Sequence, residues 1–130
     1  MAPVVQPLSG IRVLLVEDHA DTRDMYAQVV AAAGALVTSA GSARRAVDVL
    51  HLADVVVTDV GMAGDDGVWL LEQIRAKTSD LPVIAVSGYV KDQDPRLVKA
   101  AFDLVLLKPV DPWRLCEEIG AVVSHRHSGK

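Results

Sequence analysis

The feature that most constrains the fold is a short apolar run that ends in an acidic residue. Three consecutive valines, Val55 to Val57, lead through Thr58 to Asp59. β-Branched side chains on both faces predict a strand that is buried on both sides, as the inner strands of parallel sheets are. The following residues, 60–67, include three glycines and two aspartates and predict a loop. Open α/β sheets carry their chemistry at the carboxyl ends of strands, so Asp59 is the candidate reactive residue.

The rest of the chain alternates between strand and helix patterns. Apolar runs predict strands at residues 11–16, 35–39, 53–59, 81–86 and 103–107. Helices are predicted to begin near residues 19, 42, 67, 95 and 111. In the first helix, Met25, Val29 and Ala33 form the expected buried stripe, and Gly34 ends the helix. Five strands that alternate with five helices predict an α/β fold, a parallel sheet with helices on both faces.

Length and composition exclude several classes of protein. With 130 residues, of which 51% are hydrophobic, the chain holds one domain with a sizeable core, which we place at residues 11–123. Residues 1–10 are expected to form a flexible arm and residues 124–130 a polar tail. The net charge of -4 argues against direct binding of nucleic acid, and no apolar run is long enough to span a membrane.

The chain has a single cysteine, Cys116, which excludes an internal disulfide and a cysteine metal cluster. A free thiol suits a reducing cytoplasm, and residues 1–10 lack the pattern of a signal peptide. We therefore expect a cytoplasmic protein.

Chemically active side chains follow four of the predicted strands. They are Glu17 and Asp18, Asp59, Ser87 and Lys108. Because parallel strands point the same way, their carboxyl ends meet at one edge of the sheet, and we expect these side chains to be neighbours. Three carboxylates repel one another, and a bound cation relieves that repulsion. Oxygen ligands favour Mg²⁺, and Mg²⁺ with an ammonium and a hydroxyl suits phosphoryl transfer to a carboxylate nucleophile.

These residues give the chain a resemblance to the receiver domains of two-component response regulators, of the kind found in the chemotaxis response regulator. The matching positions span residues 11–123 and are Glu17-Asp18, Asp59, Met62, Asp66-Gly67, Ser87-Gly88 and Lys108-Pro109. The resemblance implies a flavodoxin-like sheet with the strand order 2-1-3-4-5 and five helices on its two faces. It also implies a cis peptide bond before Pro109.

The resemblance implies a role in the reaction for each residue of the group. Asp59 would accept a phosphoryl group from a phosphohistidine on a sensor histidine kinase or a phosphotransfer protein. Lys108 would pair with the acyl phosphate, and Ser87 would move to hydrogen-bond one of its oxygens. This movement would repack the surface formed by helix four, strand five and helix five, which a downstream protein target binds. Formation of a homodimer on phosphorylation stays open.

Mg²⁺ is the cofactor that the resemblance implies. Asp18, Asp59 and the carbonyl of Gly61 would bind it directly, and Glu17 would act mostly through water. The chain would catalyse its own phosphorylation and dephosphorylation without being an enzyme for an external product.

The chain departs from the common family pattern at Ala63 and Val105. Ala63 stands where proline is common, so the loop after Asp59 is expected to be less rigid. Val105 stands where an aromatic residue is common, which argues against the usual aromatic switch. Gly61 leaves space beside Asp59, so water is expected to reach an acyl phosphate there easily, whereas Tyr89 could partly shield it.

Two other functions share parts of this pattern. A haloacid-dehalogenase-like phosphatase also uses an aspartate nucleophile, but it needs a second acid two residues later, where this chain has Gly61. A receiver-like interaction domain that works without phosphorylation would not need the complete set of acids, hydroxyl and lysine. Within the leading interpretation, the chain acts either as a single-domain regulator or as the receiver of a hybrid kinase.

The two tryptophans receive different interpretations. Trp69 falls opposite the apolar stripe of the third helix, so it is a candidate contact for a partner protein. Trp113 flanks the stripe of the last helix, and we expect it to be half-buried in the packing.

Overall fold

The computed structural model describes residues 6–62, 64–88 and 101–128. These residues contain a single five-stranded sheet, in which every neighbouring pair of strands is parallel. The strands are β1 (Arg12–Val16), β2 (Leu36–Ala40), β3 (Val55–Asp59), β4 (Val83–Ser87) and β5 (Leu104–Leu107). Their order across the sheet is β2-β1-β3-β4-β5, which confirms the expected topology.

Helices connect and follow the strands. They are α1 (Ala20–Ala32), α2 (Ala43–Asp48), α3 (Gly67–Lys77) and α4 (Pro112–Ser128), with a short 3₁₀ helix, Leu50–Leu52, after α2. The helix predicted near residue 95 lies outside the described residues, so α4 corresponds to the fifth helix of the sequence prediction. None of the described helices has the length and apolar character needed to cross a bilayer.

The sheet separates two apolar cores, because alternate residues of a strand face opposite sides. On one side, Leu15 and Val57 pack with residues of α1 and α4. On the other side, Leu14 and Val56 pack with residues of α2 and α3. All five residues of β3 and all five of β4 are buried, as expected for inner strands of a parallel sheet. The predicted strand with two buried faces before Asp59 is therefore confirmed.

Local capping residues fix the ends of the helices. Ser42 caps α2, Asp66 caps α3 and Asp111 accepts a hydrogen bond in the first turn of α4, each from a backbone N–H. Gly34 follows α1 with a φ of 104°, a left-handed conformation that glycine adopts without strain. These predicted helix ends are confirmed.

The buried face of α1 differs from the prediction. Tyr26 and Val30 are 7% and 1% exposed, whereas Met25 is 45% exposed. Both Met25-Val29 and Tyr26-Val30 are spaced by four residues, so spacing alone does not separate them. The packing of α1 against α4 decides between them, and Tyr26 and Val30 share one core with residues of α4. The prediction is therefore wrong at Met25, whereas Val29 is partly buried and Ala33 is buried in this same core.

Residues 6–10 pack on the domain. Leu8 is fully buried, and its N–H donates to the carbonyl of Ala33 at 2.9 Å. A Cβ at Gly34 would lie 3.0 Å from the backbone of Ser9, so this segment closely covers the end of α1. The prediction of a flexible arm is wrong for these residues, because a segment without periodicity can still bury a leucine. Residues 1–5 lie outside the described residues.

The C-terminal helix is longer than predicted. α4 continues to Ser128, so residues 124–128 are helical and not part of a polar tail. The guanidinium of Arg126 donates to Asp103, just before β5, and to the carbonyl of Ser79. These contacts join residues that are 23 and 47 positions apart, so the local sequence does not reveal them.

The two tryptophans exchange their predicted environments. Trp69 is partly buried against the core between α2 and α3, and the guanidinium carbon of Arg44 lies 5.3 Å from its ring centroid. Trp113 is 63% exposed. Both predictions were wrong, because the angle of a residue on its own helix does not show where the neighbouring helix lies. For Trp69 that neighbour is α2, which covers the face expected to be free.

Candidate functional site

The carboxyl edge of the sheet brings together residues that are far apart along the chain. The Nζ of Lys108, after β5, lies 3.0 Å from Oδ2 of Asp59, at the end of β3. The same nitrogen lies 3.8 Å from Oε2 of Glu17, which follows β1. Asp59 and Glu17 are each 6% exposed, whereas the side chain of Lys108 is 34% exposed, so the acids lie below the surface and the ammonium covers them from the solvent side. The residues that follow β1 and β5 therefore lie beside Asp59, as the parallel sheet predicted.

Three acids form the negative part of this site. Glu17, Asp18 and Asp59 each offer a carboxylate oxygen, and these oxygens lie within 4.8 Å of one another. Asp18 is exposed, whereas the other two are buried. Burial, and then the charge of Asp59, raise the pKa of Glu17 above its ordinary value. Burial and the neighbouring carboxylate thus both disfavour the ionised form of Glu17.

Lys108 compensates part of this negative charge. Its partial burial acts to lower the pKa of the ammonium, but the hydrogen bond to Asp59 and the charges of Asp59 and Glu17 raise the pKa overall. The ammonium is therefore fully charged at neutral pH. Among the described residues of this site, one ammonium faces three carboxylates, and a divalent cation would match the remaining negative charge. Clustered carboxylate oxygens with solvent on one side are a suitable ligand set for such a hard cation.

The loop after β3 is held close to Asp59. The N–H of Gly61 donates to Oδ1 of Asp59 at 3.2 Å, and the N–H of Gly67 donates to the carbonyl of Val60 at 3.2 Å. A Cβ at Gly67 would lie 2.6 Å from the carbonyl oxygen of Asp59, so this close approach requires glycine. Beside Gly61, in contrast, an added Cβ would meet no atom of the described residues within 4 Å. Tyr89, which could shield this side of the site, lies outside the described residues.

The two other aspartates of this loop have structural contacts. Oδ1 of Asp66 accepts the N–H groups of Val68 and Trp69 and caps α3. Oδ2 of Asp65 accepts from Nε of Arg44, on α2, at 2.6 Å. These contacts connect the loop to both neighbouring helices.

Ser87 lies between the strands that carry Asp59 and Lys108. It ends β4, is fully buried, and its carbonyl accepts the N–H of Lys108 at 2.8 Å. In the sheet register, Asp59 is paired with Val86, directly before Ser87. The serine is thus positioned at the same edge as the acids and the ammonium. The peptide bond between Lys108 and Pro109 is cis, as the resemblance implied.

Sequence reasoning missed two residues beneath this site. The guanidinium of Arg23, in α1, donates to the carbonyl of Glu17 at 2.8 Å. The hydroxyl of Tyr26 donates to the carbonyl of Val110 at 3.2 Å. The sequence held one signal for the second contact, since Tyr26 lies next to Met25 of the predicted apolar stripe.

Residues 13–120 match the model of the response regulator receiver domain family. The 14.6 kDa protein in the sodA1 3′ region of Leptolyngbya boryana is 35% identical over 116 residues, which are 85% of this chain and 88% of that protein. The regulator of RpoS of Escherichia coli is 31% identical over 122 residues, which are 91% of this chain but 36% of that protein. The chain thus spans most of one curated relative and about a third of another.

Solved structures show the same fold. A CheY-like response regulator receiver domain from Methanospirillum hungatei has a TM-score of 0.85, covering 94% of this chain and 100% of that one, at 23% identity. The receiver domain of a Francisella response regulator has a TM-score of 0.81, covering 89% of this chain and 98% of that one, also at 23% identity.

Proposed function

The chain belongs to the response regulator receiver domain family of two-component signalling, and from this premise we propose that Asp59 is its phosphoacceptor. The observation that carries the proposal is the 3.0 Å contact between Asp59 and Lys108, with two further acids beside it. A sensor histidine kinase or a phosphotransfer protein supplies the phosphoryl group. A carboxylate oxygen of Asp59 attacks phosphorus, the bond from phosphorus to the imidazole nitrogen breaks, and the leaving histidine regains a proton. The product is an acyl phosphate.

Lys108 and Ser87 act on the transferred group. The Lys108 ammonium, which is paired with Asp59 before transfer, stabilises negative charge on a phosphoryl oxygen afterwards. Ser87 stands at the adjacent strand end and supplies a hydroxyl donor to another oxygen. Because the raised pKa keeps Lys108 protonated, this pairing requires no proton transfer.

The acid cluster is the proposed site of Mg²⁺. Asp18, Asp59 and the carbonyl of Gly61 would hold the ion, with Glu17 acting mostly through water. When bound, Mg²⁺ neutralises charge on the phosphoryl oxygens and on the acids. The clustered carboxylates support this assignment: burial first, and then the charge of Asp59, raise the pKa of Glu17, and a bound cation would relieve the second of these effects. Asp65 and Asp66 are not assigned to the ion, because their carboxylates pair with Arg44 and cap α3.

The output of phosphorylation is proposed to be a change of a protein-binding surface. It includes β5, α4 and the predicted helix near residue 95, and a downstream protein target binds there. Val105 packs beside Val60, Val68 and Ala85 where an aromatic ring is common, so the change is proposed to proceed without a rotating ring at that position. We place the protein in the cytoplasm, as a single-domain regulator or the receiver of a hybrid kinase.

Incubation with acetyl phosphate and Mg²⁺, followed by intact-mass measurement, tests the proposal. We expect one added phosphoryl group in the wild type and none in Asp59→Asn. Asp65→Asn is the matched control, because it removes another carboxylate of the same loop, one that pairs with Arg44. This variant should still be phosphorylated on Asp59. Absence of the group from the wild type, or its presence in Asp59→Asn, would contradict the assignment. Sustained turnover of unrelated phosphate esters would favour a phosphatase instead.

A further inference from the structure

A buried tyrosine connects α1 to the segment that carries Lys108. Tyr26 is 7% exposed, and its hydroxyl donates to the carbonyl of Val110 at 3.2 Å, across 84 positions of the sequence. Val110 stands two residues after Lys108 and is itself buried. The hydrogen bond therefore reaches the loop through which β5 continues into α4.

The backbone from Lys108 to Val110 is held at both ends. The N–H of Lys108 donates to the carbonyl of Ser87 at 2.8 Å, and the carbonyl of Val110 accepts from Tyr26. Between these two hydrogen bonds the chain presents the Lys108 side chain, whose Nζ lies 3.0 Å from Asp59. The first hydrogen bond extends the pairing of β4 with β5. The second is made by a side chain, so a single substitution can remove it.

The surroundings of Tyr26 leave its ring little freedom. A small cavity of about 10 Å³ is lined among others by Glu17, Tyr26 and Asp59. This volume is at most that of one water molecule, which is too small for the ring to turn into. Burial raises the pKa of the hydroxyl, although the charge of Lys108 acts in the opposite direction. The hydroxyl therefore keeps the proton that it donates to Val110.

We propose that Tyr26 is a positioning residue for Lys108, fixing the lysine over Asp59 through the Val110 carbonyl. The inference rests on the proposed function, because positioning matters only if Lys108 stabilises the phosphoryl group. The inference distinguishes the segment that carries Lys108 from the three acids. The three acids are held by β1 and β3, so Tyr26 affects how fast the phosphoryl group is accepted and not how tightly Mg²⁺ binds.

Tyr26→Phe tests this inference, because it removes the hydroxyl and keeps the ring. We expect phosphorylation of Asp59 by acetyl phosphate to slow about three- to tenfold, the worth of one neutral hydrogen bond. The Mg²⁺ dissociation constant, measured by titration calorimetry, should stay within about twofold of the wild type. Cys116→Ala is the matched control, since the Cys116 thiol also joins α4 to α1, but its hydrogen bond goes to the Val29 carbonyl and not to the segment that carries Lys108.

A double-mutant cycle with Lys108→Ala distinguishes positioning from a general loss of structure. If Tyr26 acts through Lys108, Tyr26→Phe should slow the wild type but add nothing in the Lys108→Ala background. If the two substitutions slowed the double mutant by the product of their separate effects, the inference would be overturned while the proposed function stayed intact. A Tyr26→Phe protein that reacts at the wild-type rate would have the same meaning. A slowing of the same size in Cys116→Ala would also overturn it. A wild type that takes up no phosphoryl group would remove the proposed function as well.

Discussion

The guanidinium of Arg126, in α4, lies 2.8 Å from the carboxylate of Asp103, and this contact joins the C-terminal helix to the amino edge of the sheet. Arg75, in α3, reaches the same carboxylate at 3.0 Å. The two arginines also donate to the carbonyls of Ser79 and Leu81. One carboxylate, with 13% of its side chain exposed, therefore connects helices from the two opposite layers of the fold.

We expect Asp103→Ala to lower the free energy of unfolding by about 3 kcal/mol, because it leaves two partly buried arginines without their counter-charge. Asp65→Ala is the control, since the side chain of its partner, Arg44, is 76% exposed, and it should cost less than about 1 kcal/mol. Urea denaturation of both variants gives the two values. Equal losses would mean that the Asp103 cluster contributes no more than a surface ion pair.

Glu17 makes the stability of the metal-free protein depend on pH. Burial, and then the charge of Asp59, raise its folded-state pKa above the ordinary value of 4.5. The folded protein therefore binds this proton more tightly than the unfolded chain, and stability falls as pH rises from 4.5 towards the raised pKa. Glu17→Gln does not ionise, so we expect it to lack this fall and to exceed wild-type stability above that window.

Urea unfolding of both proteins without Mg²⁺, from about pH 4 to pH 8, measures the difference. Excess Mg²⁺ should reduce the advantage of Glu17→Gln at neutral pH, because the cation stabilises the clustered acids of the wild type. Parallel stability curves for the two proteins in the absence of metal would show that Glu17 carries no raised pKa.

Gly61→Gln should slow loss of the phosphoryl group from Asp59. A Cβ added at Gly61 would meet no atom of the described part of the chain within 4 Å, and the φ of this glycine lies outside the left-handed region, so we expect a side chain there to cause no backbone strain. A glutamine that occupies this space would hinder water, and we expect hydrolysis to slow by roughly threefold or more. The measurement is the decay of the phosphorylated form by intact mass. Gly61→Ala, which adds only a methyl group, should stay near the wild-type rate, and an unchanged rate in Gly61→Gln would contradict the prediction.

Arg44→Ala should loosen the loop that follows Asp59. Arg44 pairs with Asp65 and covers Trp69, so it connects this loop to α2 and α3. The pair is exposed and worth little, so we expect Mg²⁺ to bind only about two- to threefold more weakly. Arg45→Ala makes the same charge change one position later and should bind Mg²⁺ like the wild type. The two dissociation constants, from titration calorimetry, would coincide if Arg44 does not hold the loop.

Much of the fold followed from local signals. The buried run before Asp59 predicted an inner strand, and in a parallel sheet this is enough to bring the other strand ends beside it. Helix starts at Ser42, Asp66 and Asp111 were predictable because capping depends on residues within one turn. The acids and the lysine of the site were predictable because each directly follows a strand, and the carboxyl ends of parallel strands meet at one edge of the sheet.

The remaining features depend on packing between elements. The sequence does not distinguish Met25 from Tyr26 as the buried residue, because both fit a helical repeat until α4 is in place. Trp69 is partly buried against the core beside α2, and Arg126 of the last helix binds Asp103, which are contacts that no local pattern contains. The hydrogen bond from Tyr26 to Val110 belongs to the same class.

The burial of Leu8 has a practical consequence for anyone who prepares this domain. Residues 13–120 carry the family match, yet Leu8 lies before that range and would stand in van der Waals contact, 3.6 Å, with a methyl group added at Gly120 of α4. A shortened chain cut at the family limits would lose this leucine and open a gap between α1 and α4. A domain cut at those limits would therefore lack a fully buried side chain and be less stable, so the first residue retained should precede Leu8.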